Sequence, residues 1–567
     1  MQTIVSRGDF LKGASLGMVG IAGATALARS ASAEETPQTA VMTSEQAAQK
    51  WDFEIPPEPV TDIAETIDAD VVVVGAGTAG LVTAVSAIEE GLNVIVVTAS
   101  SIPISRGGSN NAAYSKIMEA EGLPRYSPEQ IRKEIALNYN SVDQKKWYKH
   151  YNNSEEAMNW LIDIMAEAGY DCAIEQGPMI GSEDIYYTAP AAHGFINSEN
   201  QSVGMTQPFV VNTLADKLTS LGGTIYYSTI GYQLVRGGAA NGTEGRVTGV
   251  IAKREDGSYA QFNGTKAVVL ATGDFSADRS MMSKYCPWVA KYISDEVYDA
   301  PMDYDKEFVM GGLYRGDMHK AGLWIGAAWQ KTFPNAPMGG TISAGPSPIV
   351  YDPHWGLLLD RNGERFMNEY CSSQMSGRTQ WLQSGEKVYA IWNRNFVKSS
   401  DQWFPGQGGI GIMEPLTEDE VIANWDSSVD AGTYLRFDTL EELVDALGLP
   451  KETALASIER YNEMCAAGED TDFYKNPRAL IAIDEPPFYG AASGDVGILC
   501  ILGGLRTDSN MRVCDGEDNP IPGLYNVGTM IGDFYAGLYT FQMEGINYGA
   551  TCITFGYLTG KFIANNE

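Results

Sequence analysis

The sequence predicts an α/β fold organised on a Rossmann-like βαβ unit, and three observations carry that prediction. A continuous β-branched run, Asp70-Val71-Val72-Val73-Val74, leads directly into the glycine turn Gly75-Ala76-Gly77-Thr78-Ala79-Gly80. Helical periodicity over residues 81–90 follows, and an apolar strand over residues 93–98 closes the unit within about thirty residues. The composition is globular, with 567 residues, 44% hydrophobic and 20% charged, a length that accommodates two or three domains.

The turn residues have separate reasons to be there. Gly75 makes the tight turn, Gly77 lets backbone approach a pyrophosphate, and Gly80 lets the helix pack on the strand, with Ala79 on the same first turn. The helix N-terminus then faces phosphate oxygens. The second strand of such a unit usually ends in an acid that binds a ribose hydroxyl. Here that place is Thr98, followed by Ala99 and Ser100, so a neutral hydroxyl takes over the contact.

Flanking features bound the function. A formal charge of −33 repels phosphate backbones and anionic lipid, which excludes nucleic-acid binding. Residues 1–33 read as an export signal: Arg7 and Lys12, an apolar stretch over 14–27, then Ala31-Ser32-Ala33 as cleavage site. Ser6-Arg7-Gly8-Asp9-Phe10-Leu11-Lys12 resembles a twin-arginine signal with Gly8 in place of the second Arg. Polar, Pro-containing residues 34–66 read as a spacer, and no later apolar stretch has membrane-spanning length. The seven Cys form no C-x-x-C and the four His no paired spacing, so iron–sulfur, c-type haem and zinc sites are not encoded. Redox chemistry here therefore uses a diffusible or non-covalently bound cofactor.

Further segments resemble the FAD-containing fumarate reductase and succinate dehydrogenase flavoprotein family, in its soluble secreted branch. Arg106-Gly107-Gly108-Ser109-Asn110-Asn111-Ala112 is similar to the loop that wraps the flavin. Residues 266–275 (KAVVLATGDF) resemble the A-T-G-G-F turn, with Asp274 for the second Gly. Arg315-Gly316-Asp317 resembles the G-D-G helix start, and residues 356–369 (GLLLDRNGERFMNE) the G-x-R-F-x-N-E signature. Residues 437–473 resemble two cap helices, the first opened by the capping box Thr439/Glu442. The resemblance implies a Rossmann-like FAD-binding domain from 67–340 and 500–567, with an inserted α+β cap over 341–499. It implies FAD contacts at Gly75, Gly77, Ala79, Gly80, Thr98, Gly108, Ser109, Asn110, Asp317, Thr529 and Asn547, with Thr529 standing where Glu is usual. It further implies that Asn368 and Glu369 hold the cap against the flavin domain.

In this family flavin N5 delivers hydride to the β-carbon of an activated alkene while an acid protonates the α-carbon. The fumarate reductases clamp both carboxylates with cations, but the matching positions here are neutral: Ser373, Leu499 and Cys500, and Tyr535 and Tyr539 counted forward from Gly528. Counted back from Phe555-Gly556, the family's Arg falls on Met543 instead. The resemblance thus implies a non-dicarboxylate substrate, an enone, a phenolic acrylate or a steroid-like molecule, set against Phe534, Tyr535, Tyr539, Phe541 and Tyr548. Tyr539 is the first candidate for the proton-donating residue, with Tyr535 and Arg378 as alternatives, since a tyrosine hydroxyl starts protonated. Electrons are expected from an external donor, a cytochrome c or a quinol-linked partner. Oxidative turnover, as in ketosteroid dehydrogenases, and a non-catalytic electron-transfer flavoprotein are the rival readings.

Overall fold

In the computed structural model the described residues are 50–174, 191–198, 206–306, 311–339, 356–370, 373–397, 417–540 and 543–567. The expected export signal lies outside them. The β-branched run forms the second half of β1 (Glu65–Val74), and helix α1 (Thr78–Glu89) follows the glycine turn. β1 pairs in parallel with β2 (Val94–Val97) on one side and β7 (Tyr259–Leu270) on the other. The parallel sheet is completed by β3 (Thr224–Tyr226) beside β2 and β9 (Pro520–Asn526) beside β7. Three antiparallel strands, β4 (Thr229–Arg236), β5 (Ala239–Ala240) and β6 (Val247–Arg254), extend the other edge of β7, and β8 (Arg512–Cys514) covers β9, giving nine strands.

Val71 to Val74 are at most 2% exposed because both faces of β1 are covered, which is why the run is continuous rather than alternating. Val71 and Val73 join the core that contains α1, whereas Val72 and Val74 join the core on the opposite face. Helix α5 (Phe555–Asn566) lies against α1, where Gly556 comes so near that an added Cβ would sit 3.1 Å from the Ala79 carbonyl oxygen. Helices α2 (Pro128–Leu137) and α3 (Gln144–Glu167) complete the α1 side, and α4 (Asp317–Trp324) packs on β4.

The spacer expectation needs correction over 51–64. Phe53 is buried, its carbonyl accepts the Trp324 indole N–H, and the Gln233 amide brackets Glu58 O and Val60 N at 2.9 Å each. Composition reads these residues as polar because Phe53 alone among them enters the core, while Glu54 pairs with Lys284 and the rest of the attachment is made by backbone.

The cap has its own core. Segments Leu357–Asp360, Val388–Asn393, Phe488–Ala492 and Leu435–Phe437 form a four-stranded antiparallel sheet in that order. Helices Leu440–Leu447 and Lys451–Ala467 cover it around Trp392, Trp425, Tyr461 and Tyr489. Thr439 caps the first helix by accepting the Glu442 N–H, and the Glu442 carboxylate accepts the Thr439 hydroxyl, so the reciprocal half of the expected capping box is replaced. The chain enters and leaves the cap side by side, with Met338-Gly339 antiparallel to Gly497-Ile498. Asn368 and Glu369 do not bridge to the flavin domain. The Asn368 amide donates to Phe473 O, and Glu369 accepts both Arg365 N–H groups at 2.9 Å, with Lys475 at 3.3 Å. These partners are more than a hundred residues downstream or a helical turn upstream, all within the cap. No helix of the described residues is long and apolar enough to cross a membrane.

Candidate functional site

A cavity of about 460 Å³ runs across the C-terminal ends of β1, β2 and β7. Its floor is the glycine turn. Gly75 has φ +115°, and a Cβ there would sit 2.3 Å from Ala271 O, so only glycine allows the turn to lie against the end of β7. Gly77 caps α1 and, with Ala79, lines the cavity, so the unpaired N–H groups of the first helical turn face it. Gly80 stays out of the wall: its missing Cβ would fall 2.0 Å from Gly75 O, which makes it the helix–strand packing position.

At the far end Thr98 and Ser100 both line the cavity, with their hydroxyls 2.9 Å apart. Gly108 and Ser109 form the opposite wall, where Gly545 crosses so closely that a Cβ would lie 2.2 Å from Ser109 O. Asn110 sits behind that wall, fully buried, its amide donating to His193 O at 3.2 Å and accepting from Gln207 at 2.6 Å. It shapes the loop rather than touching the cavity. Asp317 opens α4 and accepts the Tyr304 hydroxyl at 3.1 Å; Thr529 and Asn547 line the remaining wall. A glycine turn, a helix N-terminus and a hydroxyl pair in one elongated groove fit a dinucleotide's pyrophosphate and ribose.

The family model described as FAD binding domain matches residues 70–546. The chain belongs to that FAD-binding family. Its cofactor is FAD, which supplies hydride chemistry when bound. The vinyl phenol reductase of Lactiplantibacillus plantarum is 26% identical over 519 residues, 87% of this chain and 94% of the relative. The cytochrome-type fumarate reductase of Shewanella frigidimarina is 24% identical over 504 residues, 87% of this chain and 76% of the relative. A crystal structure of 3-ketosteroid-Δ4-(5α)-dehydrogenase from Rhodococcus jostii RHA1 superposes with a TM-score of 0.67 at 20% identity, over 90% of this chain and all of that one, and shares the fold.

In this FAD-binding chain the cavity wall also includes Leu499, Cys500, Tyr539, Tyr548 and Cys552. Tyr539 is the one catalytic candidate that reaches the wall; its ring is 5.4 Å from that of Tyr535. Tyr535 is turned into the core, edge-on to Trp147, and its buried hydroxyl has no hydrogen-bond partner among the described residues. Burial, with the nearby Tyr539 and Glu134, pushes its pKa far above the ordinary tyrosine value, so it stays protonated. Arg378 also stands outside the wall: its guanidinium donates to Gly537 O and braces the loop that carries both tyrosines. That loop is pinned by α2 and α3, through Asn138 to Ala536 N at 2.9 Å, Thr540 to Glu134 at 2.7 Å, and Trp147 to Phe534 O at 2.7 Å.

Three wall residues were not among the sequence-based catalytic or cofactor-binding candidates. Tyr548 donates to Arg106 O and so ties the C-terminal segment to the flavin-wrapping loop. Arg106 itself lines the cavity. Asp274 is 2% exposed and accepts from Ser276 N at 3.2 Å, Ser276 Oγ at 2.8 Å and Ile501 N at 2.9 Å. Burial raises the Asp274 pKa, opposed by Arg106 and by these donors. An Asp in a glycine position was the signal for the last of these; a cation in a glycine loop was the signal for the second. Cys500, where the family places His, is a thiol pushed up to about 12 by burial and Asp274, hence neutral.

Proposed function

We propose that the protein is an exported, FAD-dependent reductase that reduces an activated C=C bond of a non-dicarboxylate substrate, with a phenolic or ring-bearing alkene as the best fit. It is an FAD-dependent oxidoreductase acting on CH–CH groups. The observation that carries the narrower reading is the continuity of the cavity from the dinucleotide cradle to a wall of Leu499, Cys500, Tyr539 and Tyr548, with neutral residues at the positions that clamp fumarate. An aromatic and aliphatic wall favours a flat body, and a hydroxyl at its edge can donate to a carbonyl or phenol oxygen. The match to a vinyl phenol reductase over nearly its whole length supports the same class.

The residues then divide the work. The glycine turn and the α1 N-terminus hold the pyrophosphate, Thr98 and Ser100 meet a ribose, and the walls exclude water from the reacting end. Tyr539 Oη donates the proton to the carbon next to the activating group. Tyr535 and Arg378 position that loop. Electrons reach the site from an external cytochrome c or quinol-linked donor, and full turnover with NADH alone would remove that part of the proposal.

The test is anaerobic reduction of the FAD-loaded protein with a viologen donor, followed by reoxidation against fumarate, urocanate, cinnamates, vinylphenols, enones and a cardenolide. Reoxidation by ring-bearing alkenes and not by fumarate is expected; rapid reoxidation by fumarate overturns the substrate class. Reduction of the flavin by a saturated ketone with a quinone acceptor reassigns the direction.

A further inference from the structure

Three stretches of the cavity wall that are far apart in sequence meet on one side chain. They are the turn after β7, from Ala271 to Asp274, the pair Leu313-Tyr314 ahead of α4, and Leu499-Cys500 on the chain returning from the cap. The Asp274 carboxylate joins them. Its Oδ2 accepts the Ile501 N–H at 2.9 Å and the Ser276 hydroxyl at 2.8 Å, and its Oδ1 accepts the Ser276 N–H at 3.2 Å. The Ser276 hydroxyl, with its proton directed at Asp274, accepts the Leu313 N–H at 3.0 Å. Asp274, Ser276 and Ile501 are all buried, in a low local dielectric that strengthens each of these bonds.

The returning segment is held on both sides of Cys500. Leu499 N donates to Pro337 O at 2.9 Å on the chain that enters the cap, and Leu502 N donates to Asn335 O at 2.8 Å. Ile501 N, between them, goes to Asp274 instead, so Cys500 stands between an anchor on the cap-entry chain and an anchor on the central sheet. Ile501 itself lies behind the wall, in the core that contains Phe275 and Met282. A carboxylate buried in such a wall is costly unless donors surround it, and this one is met by three. The turn that residues 266–275 resemble has glycine at this place, with no side chain to make the joint. We propose that Asp274 is a positioning residue for the substrate wall: it locks Leu499-Cys500 and Leu313-Tyr314 to the end of β7 and so sets where the substrate stands over the cofactor. This rests on the reductase reading above and adds to it a residue that acts through the wall rather than on the substrate.

The test uses the FAD-loaded full-length protein with Asp274→Asn, Asp274→Gly and Ser276→Ala. Asparagine keeps an oxygen for the Ile501 N–H without the charge, glycine removes the joint, and Ser276→Ala cuts the Leu313 arm while the Ile501 bond stays. The first readout is amide hydrogen exchange over 499–502, with the centre of β7 as internal control. Asp274→Gly should speed that exchange by about tenfold or more and Asp274→Asn by less than about threefold, with β7 unchanged. The second readout is reoxidation of the viologen-reduced flavin by saturating 4-vinylphenol. It should slow by about tenfold to a hundredfold in Asp274→Gly, a larger loss than that in affinity for the saturated 4-ethylphenol, and most of the rate should return in Asp274→Asn. Unchanged exchange over 499–502 in Asp274→Gly overturns the proposal, because the wall then holds without the joint. An Asp274→Asn variant as slow as Asp274→Gly also overturns it, because charge rather than position is then at work. If Asp274→Gly loses FAD and exchanges throughout, Ser276→Ala decides alone: faster exchange over 311–314 with β7 unchanged is expected, and no local change overturns the proposal. A wild type whose reduced flavin no alkene reoxidises sinks the reductase reading, while the exchange pattern still decides whether Asp274 holds the wall.

Discussion

Three of the four histidines of this chain are fully buried, and that burial makes stability steeply dependent on pH. His150 bonds Thr554 Oγ1 at 2.9 Å, His193 bonds Ser115 Oγ at 2.7 Å, and His319 packs between Phe275 and Trp329. Burial lowers their pKa values to about 3 for His150 and His319 and about 4 for His193. In His193 the Nδ1 atom faces two carbonyls, Asn110 O and Ala191 O, so the neutral ring carries its proton there and Nε2 accepts from Ser115. In the unfolded chain each ring titrates near 6.5, so below that pH the unfolded state binds protons that the folded state refuses. Stability is therefore full above pH 6.5 and falls as the pH drops toward 4, by about 1.4 kcal/mol per pH unit for each ring and about 4 kcal/mol for three. Asp274 and Glu121, raised by burial, act in the opposite sense and trim the slope. The assay is the denaturant unfolding free energy of the FAD-loaded protein at several pH values from 7.5 to 5. His150→Asn and His193→Gln should each reduce the slope by about one proton. A slope of less than one proton in the wild type refutes the reasoning, because it means that water reaches these rings.

Other expectations follow from single contacts. Tyr535→Phe removes a buried hydroxyl that has no partner among the described residues, so it should stabilise the protein by about 1 kcal/mol, roughly 1 °C in Tm for a chain of this size, checked by calorimetry. Retained turnover in that variant eliminates Tyr535 as proton donor, whereas Tyr539→Phe should lower kcat about a hundredfold or more with flavin reduction intact, read by stopped-flow reoxidation. Gly80→Ala drives a Cβ to within 2.0 Å of Gly75 O and should cost FAD retention, measured as the flavin-to-protein absorbance ratio after gel filtration. Glu369→Gln leaves Arg365 and Lys475, whose side chains are 6% and 1% exposed, short of their shared carboxylate. The cap should lose about 3 kcal/mol, detected as faster proteolysis within 357–491.

The βαβ unit was legible because its signals are local. The β-branched run, the turn glycines and the helix period all fall within one stretch, and β1, α1 and β2 form within a few residues of the expected bounds. The cap helix at Thr439 was legible for the same reason. What escaped depended on contacts distant in sequence. Glu369 looks like an interdomain residue until Lys475 and Asp470 are seen folded back onto Arg365. Tyr539 was the first candidate and Tyr535 an alternative in the same loop, and packing on Trp147 of α3 turns Tyr535 into the core. Arg106 was in view as part of a glycine loop, but nothing local says that it shares one cavity wall with Asp274, Tyr314, Cys500 and Tyr548.

The paired ribbon of Met338-Gly339 and Gly497-Ile498 makes the cap a module plugged in at one socket. Its two ends lie one strand spacing apart, about 4.8 Å, a gap that a tight turn of two residues spans. A lineage could exchange, enlarge or delete the insert without re-threading the parallel sheet, because neither end pulls on the other when the insert changes length. The insert can thus be rebuilt while the FAD cradle keeps its backbone. That separation marks this ribbon as the place to graft a foreign cap, while Leu499, Cys500, Tyr539 and Tyr548, which follow the ribbon in the chain, stay with the FAD cradle.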